Sequence, residues 1–223
     1  MTLSLPGQSL TRAFSTLGLF VVAFALMLSG AEAAVQTWTN NTSTNNLSNS
    51  VGLWQGAVNP ASGDSWVFAN TSAATLTNNF AAGFAVAGIT FNSGTAADTI
   101  NGNSINLSGS IINNSTNLQT FGTAFVLTAA QTITTKSGGG NFLFNGNITG
   151  AFGLTFNGSG TTTLAGNNSN TTITLNGGAN STATVINSGV SSNAASGNSG
   201  FNIGGTAGST NIYWNSGTNW VGQ

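Results

Sequence analysis

Short runs of alternating apolar and small polar residues recur between glycine- and asparagine-rich turns over residues 88–186. The runs are GITFNSG, SINLSGS, QTITT, NFLFNGN, GLTFNGSGTTTLAGNN, TTITLNGG and TATVINSG. Alternation with a period of two predicts β-strands with one buried face. A single run of this length cannot bury its apolar side, but stacked runs form a continuous core, as in solenoid proteins. The pattern therefore predicts an all-β fold, a parallel β-helix or β-solenoid.

The same alternation assigns a set of apolar side chains to the interior. They are Ile89, Phe91, Ile100, Ile105, Leu107, Ile111, Phe121, Phe125, Leu127, Ile133, Phe142, Phe144, Ile148, Leu154, Phe156, Leu164, Ile173, Leu175 and Val185. Antiparallel hairpins are the alternative, because Asn101-Gly102, Asn145-Gly146 and Asn157-Gly158 suit two-residue hairpin turns. The brevity of the runs favours parallel stacking, in which turn asparagines form amide ladders between successive turns of the solenoid.

The first 33 residues have the organisation of a secretory signal peptide. Arg12 precedes an apolar stretch over residues 13–28, which is followed by Ser29, Gly30 and Ala31-Glu32-Ala33. Signal peptidases require small residues before the cleaved bond, which predicts cleavage after Ala33. The apolar stretch is shorter than the ~20 residues that span a bilayer, although an uncleaved anchor is the alternative. The predicted organisation is a helical signal peptide over residues 1–33, an N-terminal cap region over 34–87, a repeat core over 88–186, and a looser C-terminal region, or the start of a further repeat, over 187–223.

Tryptophans lie near both ends of the predicted mature chain. Trp38, Trp54 and Trp66 stand among Asn, Ser and Gly, and Trp214 and Trp220 repeat that pattern near the C-terminus. Terminal units of repeat proteins must cover an exposed edge, and large aromatic side chains mostly pack. We therefore interpret the first three as part of a cap, with a sugar-stacking platform as the alternative.

Charged residues make up only 2% of the 223 residues. After the predicted cleavage, Asp64, Asp98 and Lys136 are the remaining charged side chains. Such a chain has little electric field with which to attract nucleic acid or an anionic membrane surface. The 14 Phe and 5 Trp, with abundant Thr, Ile and Val, argue against a disordered spacer. Cysteine is absent from the sequence, which excludes disulfides and thiolate metal sites.

The few charged residues are poor candidates for catalysis. Glycoside hydrolysis needs two carboxyl groups roughly 5–9.5 Å apart, whereas Asp64 and Asp98 lie in different regions and in turn-like contexts. Lys136 precedes the glycines at 138–140 and is expected to be a solvated charge that discourages aggregation at a sheet edge. The sequence has no His and therefore no Ser-His-Asp triad. We predict no catalytic, cofactor-binding or metal-binding residue and no enzymatic activity, with a carbohydrate-active β-helix enzyme as the alternative.

Threonines recur at positions that the alternation places on the outside. Thr161 to Thr163, Thr171, Thr172 and Thr174 resemble the flat threonine arrays of ice-binding β-solenoids, and such faces also suit sugars. Threonine is also simply a good strand residue on a solvated face. Ice or glycan binding is therefore a further alternative.

Residues 153–168, GLTFNGSGTTTLAGNN, resemble the autotransporter-associated β-strand repeat of large bacterial surface passengers. The matching positions are Gly153, Leu154, Thr155, Gly158, Gly160, Thr161, Thr163, Leu164, Gly166 and Asn168. Phe156 replaces the usual Lys, and residues 169–178 lack the Tyr and Gly that usually follow. The resemblance implies a right-handed parallel β-helix outside the cell, as a structural stalk or adhesive passenger without an active site.

Together these observations predict a secreted or outer cell-surface module, structural or adhesive and non-catalytic. The expected partners are further copies of the chain, through terminal turns of the solenoid, and a surface glycan. No cofactor, no nucleic acid and no membrane contact beyond the signal peptide are expected.

Overall fold

A computed structural model of the chain describes residues 33–42, 44–48, 51–136, 140–166 and 168–169, and four short strands between residues 173 and 214. The predicted signal peptide, apart from Ala33, lies outside the described residues, as does Trp220. Within the described part of the chain, no helix has the length and apolar character needed to cross a membrane.

The described chain is built of short β-strands and two single-turn 3-10 helices, Val51–Leu53 and Gln55–Ala57. In chain order the strands are β1 (Val35–Trp38), β2 (Thr44–Asn46), β3 (Ser65–Phe68), β4 (Thr75–Asn78), β5 (Phe84–Val86), β6 (Gly88–Phe91), β7 (Thr99–Gly102), β8 (Ile105–Leu107), β9 (Ile111–Asn113), β10 (Gln119–Phe121), β11 (Phe125–Leu127), β12 (Gln131–Thr135), β13 (Phe142–Phe144), β14 (Ile148–Thr149), β15 (Leu154–Gly158), β16 (Thr161–Leu164), β17 (Asn168–Ser169), β18 (Ile173–Asn176), β19 (Thr184–Asn187), β20 (Phe201–Gly204) and β21 (Asn211–Trp214).

These strands form three sheets in which sequence neighbours never pair. Sheet 1 has the order β1-β3-β6-β9-β12-β15-β18-β20, sheet 2 has β2-β4-β7-β10-β13-β16-β19-β21, and sheet 3 has β5-β8-β11-β14-β17. Each strand pairs in parallel with the strand one turn of the solenoid away. The fold is therefore a β-solenoid with parallel sheets, as predicted, and the hairpin alternative is wrong for these strands.

The sheets continue through the segment boundaries that the sequence suggested. β3 lies before residue 88 and pairs with β6 after it, so the cap region and the repeat core share sheets. In the C-terminal region, β20 and β21 extend sheets 1 and 2 beyond residue 187. β1, the first strand of the described residues, is already paired in parallel with β3 of the next turn.

The interior holds the predicted apolar residues. The described members of the predicted set, from Ile89 to Leu164, are all buried, whereas the side chains of Ile173, Leu175 and Val185 lie outside the described residues. Aromatic rings stack between turns: Phe68 lies 5.1 Å from Phe91, and Phe121 lies 5.2 Å from Phe144, between ring centroids. Rings from successive turns therefore form a continuous core. Such ring pairs stabilise the fold by more than the burial of their apolar surface alone.

The three N-terminal tryptophans are buried and pack together. Trp54 follows the first 3-10 helix and forms an isolated antiparallel bridge with Trp38. Its ring lies 5.2 Å from Trp38 and 6.2 Å from both Trp66 and Phe68, and its Nε1 donates a 2.9 Å hydrogen bond to Leu47 O. Buried rings cannot act as an exposed sugar-stacking platform, so the packing interpretation of these tryptophans is confirmed. An antiparallel partner at Trp38 also occupies backbone that a further parallel strand would use.

Candidate functional site

The two described carboxylates lie at different corners of the solenoid. Asp64 precedes β3 of sheet 1, and Asp98 precedes β7 of sheet 2. Both are buried, with 5% and 1% of their surface exposed. They therefore do not form one paired-carboxylate site, and each is explained by its own local contacts.

Asp64 accepts hydrogen bonds from three neutral donors. Its Oδ1 accepts from Ala34 N at 2.8 Å, and its Oδ2 accepts from Ala61 N at 2.8 Å and from Gln36 Nε2 at 3.4 Å. The hydrogen bond from Ala61 N closes the tight loop before β3. Ala34, in contrast, lies in the preceding turn of the solenoid, next to β1. Asp64 thus joins two successive turns through its carboxylate.

Asp98 is less completely paired. Its Oδ1 accepts from Asn70 Nδ2 at 2.8 Å and from Ala74 N at 3.0 Å, while its Oδ2 has no described hydrogen-bond partner. Burial raises the pKa of Asp98 to about 6, against the lowering effect of the hydrogen bonds from Asn70 and Ala74. A carboxyl group whose second oxygen has no described partner is easier to protonate, because burial disfavours the charged form.

Asp98 belongs to a polar network at the corner between sheets 1 and 2. The backbone N of Asp98 donates to Gln119 Oε1 at 3.0 Å, and Gln119 Nε2 donates to Ser115 Oγ at 3.2 Å. Ser115 Oγ donates in turn to Asn113 Oδ1 at 2.7 Å. Together with Asn70, these residues come from three successive turns of the solenoid. The network therefore joins the turns by side-chain hydrogen bonds, in addition to the apolar packing of the core.

Asparagine side chains also connect successive turns, but by a different contact from the predicted amide ladder. Asn113 Nδ2 donates to Asn141 O at 3.0 Å, Asn78 Nδ2 donates to Asn103 O at 2.7 Å, and Asn117 Nδ2 donates to Thr95 O at 2.7 Å. The acceptors are backbone carbonyls, because corner backbones leave the sheets and their carbonyls need partners.

Lys136 follows β12 and is exposed, as predicted, and its backbone N donates to Asn113 O at 2.9 Å. Among the described residues, no three His, Cys, Asp or Glu side chains cluster to hold a metal ion.

The outer face of sheet 2 carries an in-register column of threonines. Thr75 pairs with Thr99, Thr99 with Thr120, and Thr120 with Leu143, which pairs with Thr163. Their side chains are exposed or half-buried, and adjacent rows repeat at about 4.8 Å. The column is a regular, uncharged strip on the surface.

One prediction about the threonines was wrong. Thr162 was expected outside with Thr161 and Thr163, but it is buried and lies in the inward row with Phe142. Three consecutive strand residues cannot share a face, because successive side chains point to opposite sides. Thr171 and Thr172, and the side chain of Thr174, lie outside the described residues.

Sequence reasoning missed the partners of the carboxylates. Asp64 was interpreted as a turn residue, which it is, but its contact with Ala34 spans 30 positions and has no sequence pattern. The polar residues Gln119 and Ser115 were not singled out, although Gln119 occupies an inward position at the start of β10. A polar residue at an inward strand position was the available signal.

Comparisons with protein-family models, with curated proteins and with solved structures found no match to this chain.

Proposed function

We propose that the protein is a secreted or outer cell-surface module with a structural or adhesive role and no catalytic activity, similar to a segment of an autotransporter passenger. The observation that carries the proposal is that the few carboxylates are buried and not displayed on the surface. Both described carboxylates are buried inside the solenoid and accept hydrogen bonds there, and the outer faces of the sheets present mainly uncharged strand residues. A surface of this kind suits display and packing rather than the binding of charged substrates.

Export is the first element of the proposal. It is supported by Arg12, the apolar stretch over residues 13–28 and the small residues Ala31 and Ala33. We propose a right-handed solenoid, which is the hand that parallel strand connections nearly always take.

The proposal is tested by expressing the full chain with its own leader in a diderm bacterial host. We expect the protein in the medium or on the cell surface, with the mass of residues 34–223. The control is Ala31→Leu with Ala33→Leu, which removes the small residues that signal peptidase requires and is expected to keep the leader attached. Retention of the unaltered chain inside the cytoplasm would contradict export.

The adhesive or structural role is tested on the exported chain. Cells displaying the protein are compared with cells displaying a matched chain that carries Phe121→Ala in the core, for attachment to glass and to one another. We expect attachment to require the folded solenoid. Equal attachment by both cell populations, at equal surface amounts, would remove the adhesive role and leave the structural one.

The enzyme alternative receives little support from the geometry. Glycoside hydrolysis needs paired carboxyl groups, and Asp64 and Asp98 lie at different corners and are buried. Incubation with a panel of polysaccharides is expected to give no products. Product formation that disappears in Asp98→Asn would establish the enzyme instead.

A second candidate function, ice or glycan binding, rests on the threonine column of sheet 2. The column consists of four outward threonines and is interrupted by Leu143; the threonines are Thr75, Thr99, Thr120 and Thr163. Thermal hysteresis and a glycan array test it. The variant Thr99→Tyr breaks the flatness of the column, and Thr90→Tyr on sheet 1 is the matched control. Activity lost in both variants, or in neither, would disconnect the column from binding.

Self-association through terminal turns is also part of the proposal. At the first turn, the bridge between Trp54 and Trp38 reduces the open backbone, so we expect association to be weak there. Sedimentation of the exported protein tests this.

A further inference from the structure

Asp64 reaches the first residue that remains after the predicted cleavage. Its Oδ1 accepts a 2.8 Å hydrogen bond from Ala34 N, and Ala34 directly follows Ala33, the predicted last residue of the leader. Both alanines are exposed, so the bond between them lies on the surface. The buried carboxylate is therefore placed against the atom that processing would change.

Ala34 is held in place by a second contact that does not involve the leader. Its carbonyl accepts a 2.8 Å hydrogen bond from Ser65 N, which begins β3, and the next residue, Val35, pairs with Ser65 in register. Loss of residues 1–33 leaves this contact intact. The nitrogen of Ala34 would therefore remain beside Asp64 after cleavage.

Cleavage changes the chemistry of that nitrogen. Water attacks the Ala33 carbonyl, the Ala33–Ala34 bond breaks, the new oxygen stays on the Ala33 carboxylate, and the Ala34 nitrogen takes up protons to become an α-ammonium. In the uncleaved chain, Asp64 receives only neutral donors, from Ala34, Ala61 and Gln36. In the processed chain, one of these donors is a cation.

We propose that removal of residues 1–33 creates an ion pair between the Ala34 α-ammonium and the buried Asp64 carboxylate, and that this pair fastens the first turn of the processed protein to the second. The inference rests on the proposed export, because export provides the processing step. It assigns the Ala33–Ala34 bond as a modification site and Asp64 as the receptor for the new terminus. Hydrogen bonds to ionised donors are about twice as strong as neutral ones, so the contact strengthens on processing.

The test uses the processed full chain in a Lys136→Arg background. Lys136 is the only lysine, so this change leaves the α-amino group as the only primary amine of the processed protein. Acetylation then converts the α-ammonium into a neutral amide N–H, which matches the uncleaved peptide. Urea unfolding is measured with and without acetylation, in the Asp64 protein and in Asp64→Asn.

In the Asp64 protein, we expect acetylation to raise the equilibrium constant for unfolding about fivefold to tenfold. In Asp64→Asn we expect a change below about twofold, because the charged partner is gone. Equal effects of acetylation in the two proteins would overturn the ion pair while leaving export unaffected.

Two further measurements separate the ion pair from the export on which it rests. The intact mass of the exported protein is expected to begin at Ala34, and another N-terminus would overturn both the processing site and that part of the proposed function. Where Asp64→Asn does not fold, the acetylation rate of the α-amino group is compared in the folded chain and in urea. A rate about fivefold slower in the folded chain supports the pair, because Ala34 is exposed and burial does not slow the reaction. Equal rates overturn it.

Discussion

Asn70 Nδ2 donates a 2.8 Å hydrogen bond to Asp98 Oδ1 in the next turn of the solenoid, inside the corner between sheets 1 and 2. The other side-chain oxygens of this pair, Asp98 Oδ2 and Asn70 Oδ1, are buried and have no described hydrogen-bond partner. Burial of these two acceptors without a described partner makes the negative charge of Asp98 costly. The raised pKa of Asp98, about 6, follows from that burial.

This pair predicts that Asp98 lowers stability at neutral pH. The pKa of Asp98 is higher in the folded chain than its ordinary value of 3.8, so the folded state binds the proton more tightly. The contribution to the free energy of unfolding is therefore largest below about pH 4 and falls by at most about 3 kcal/mol as the pH rises to about 6. In Asp98→Asn, urea unfolding followed by tryptophan fluorescence is expected to lose this pH dependence and to show higher stability at pH 7.5.

Asp64→Asn is the matched control for that experiment. Asp64 is also buried, but each of its oxygens accepts hydrogen bonds. Its replacement is expected to lower the free energy of unfolding at pH 7.5 by about 1.5–3 kcal/mol. Opposite signs for the two aspartates are the expected result, and a loss of stability in Asp98→Asn would contradict our account of the corner.

Close packing of the corners predicts a large difference between two glycine substitutions. A Cβ at Gly146 would lie 1.9 Å from Thr123 O in the preceding turn, whereas a Cβ at Gly52 meets no atom within 4 Å. Gly146→Ala is expected to cost about 1–3 kcal/mol, because backbone of adjacent turns must separate. Gly52→Ala is expected to be neutral or slightly stabilising. Thermal unfolding of both variants measures the difference, and equal melting temperatures would show that the turns are less closely stacked.

The aromatic core predicts which Phe→Ala substitutions lower the free energy of unfolding most. Phe121 is fully buried and its ring contacts Phe125 and Phe144 at centroid distances of 5.1 and 5.2 Å. Phe121→Ala is expected to lower the free energy of unfolding by about 3–5 kcal/mol. Phe152, which is 39% exposed, is the control, and Phe152→Ala is expected to cost less than about 1 kcal/mol. Denaturant unfolding at one temperature compares them, and a similar cost at both sites would argue against the stacked interior.

The packing around Trp54 predicts a link between stability and association. Trp54→Ala removes the packing against Trp38, Trp66 and Phe68, and is expected to cost about 3–5 kcal/mol and to increase self-association. Trp54→Phe keeps a ring but loses the hydrogen bond to Leu47 O, and is expected to cost about 1–3 kcal/mol without association. Sedimentation velocity at equal concentrations distinguishes the variants. Unchanged sedimentation of a folded Trp54→Ala protein would show that Trp54 does not protect the edge.

The fold was accessible from the sequence because alternation controls it directly. Residues such as Ile89 and Phe121 could be placed inward because Gly or Thr stands on either side of them in short strands, and alternate residues of a strand share one face. Thr162 was misplaced because threonine is equally acceptable on both faces, so its type carries little information about burial.

The hydrogen bonds at the corners could not be predicted from the alternation of the sequence. The partners of Asp64 and Asp98 lie 24 to 30 residues away in most cases, at distances set by the length of each turn of the solenoid. Insertion or deletion of one residue in a corner would give these aspartates different hydrogen-bond partners without altering the alternation within the strands. The antiparallel bridge of Trp54 was hidden for the same reason, since it depends on how one loop crosses back over the first strand.

Parallel, in-register stacking is the central claim, and a distance between two spin labels tests it most directly. The chain has no cysteine, so Thr75→Cys and Thr163→Cys provide unique labelling sites on the outer face of sheet 2. The pairings Thr75–Thr99–Thr120–Leu143–Thr163 place the two positions four rows apart, which predicts a backbone separation of about 19 Å. A narrow distribution of label distances near that value would support the solenoid. A broad distribution, or a separation above about 35 Å, would contradict it.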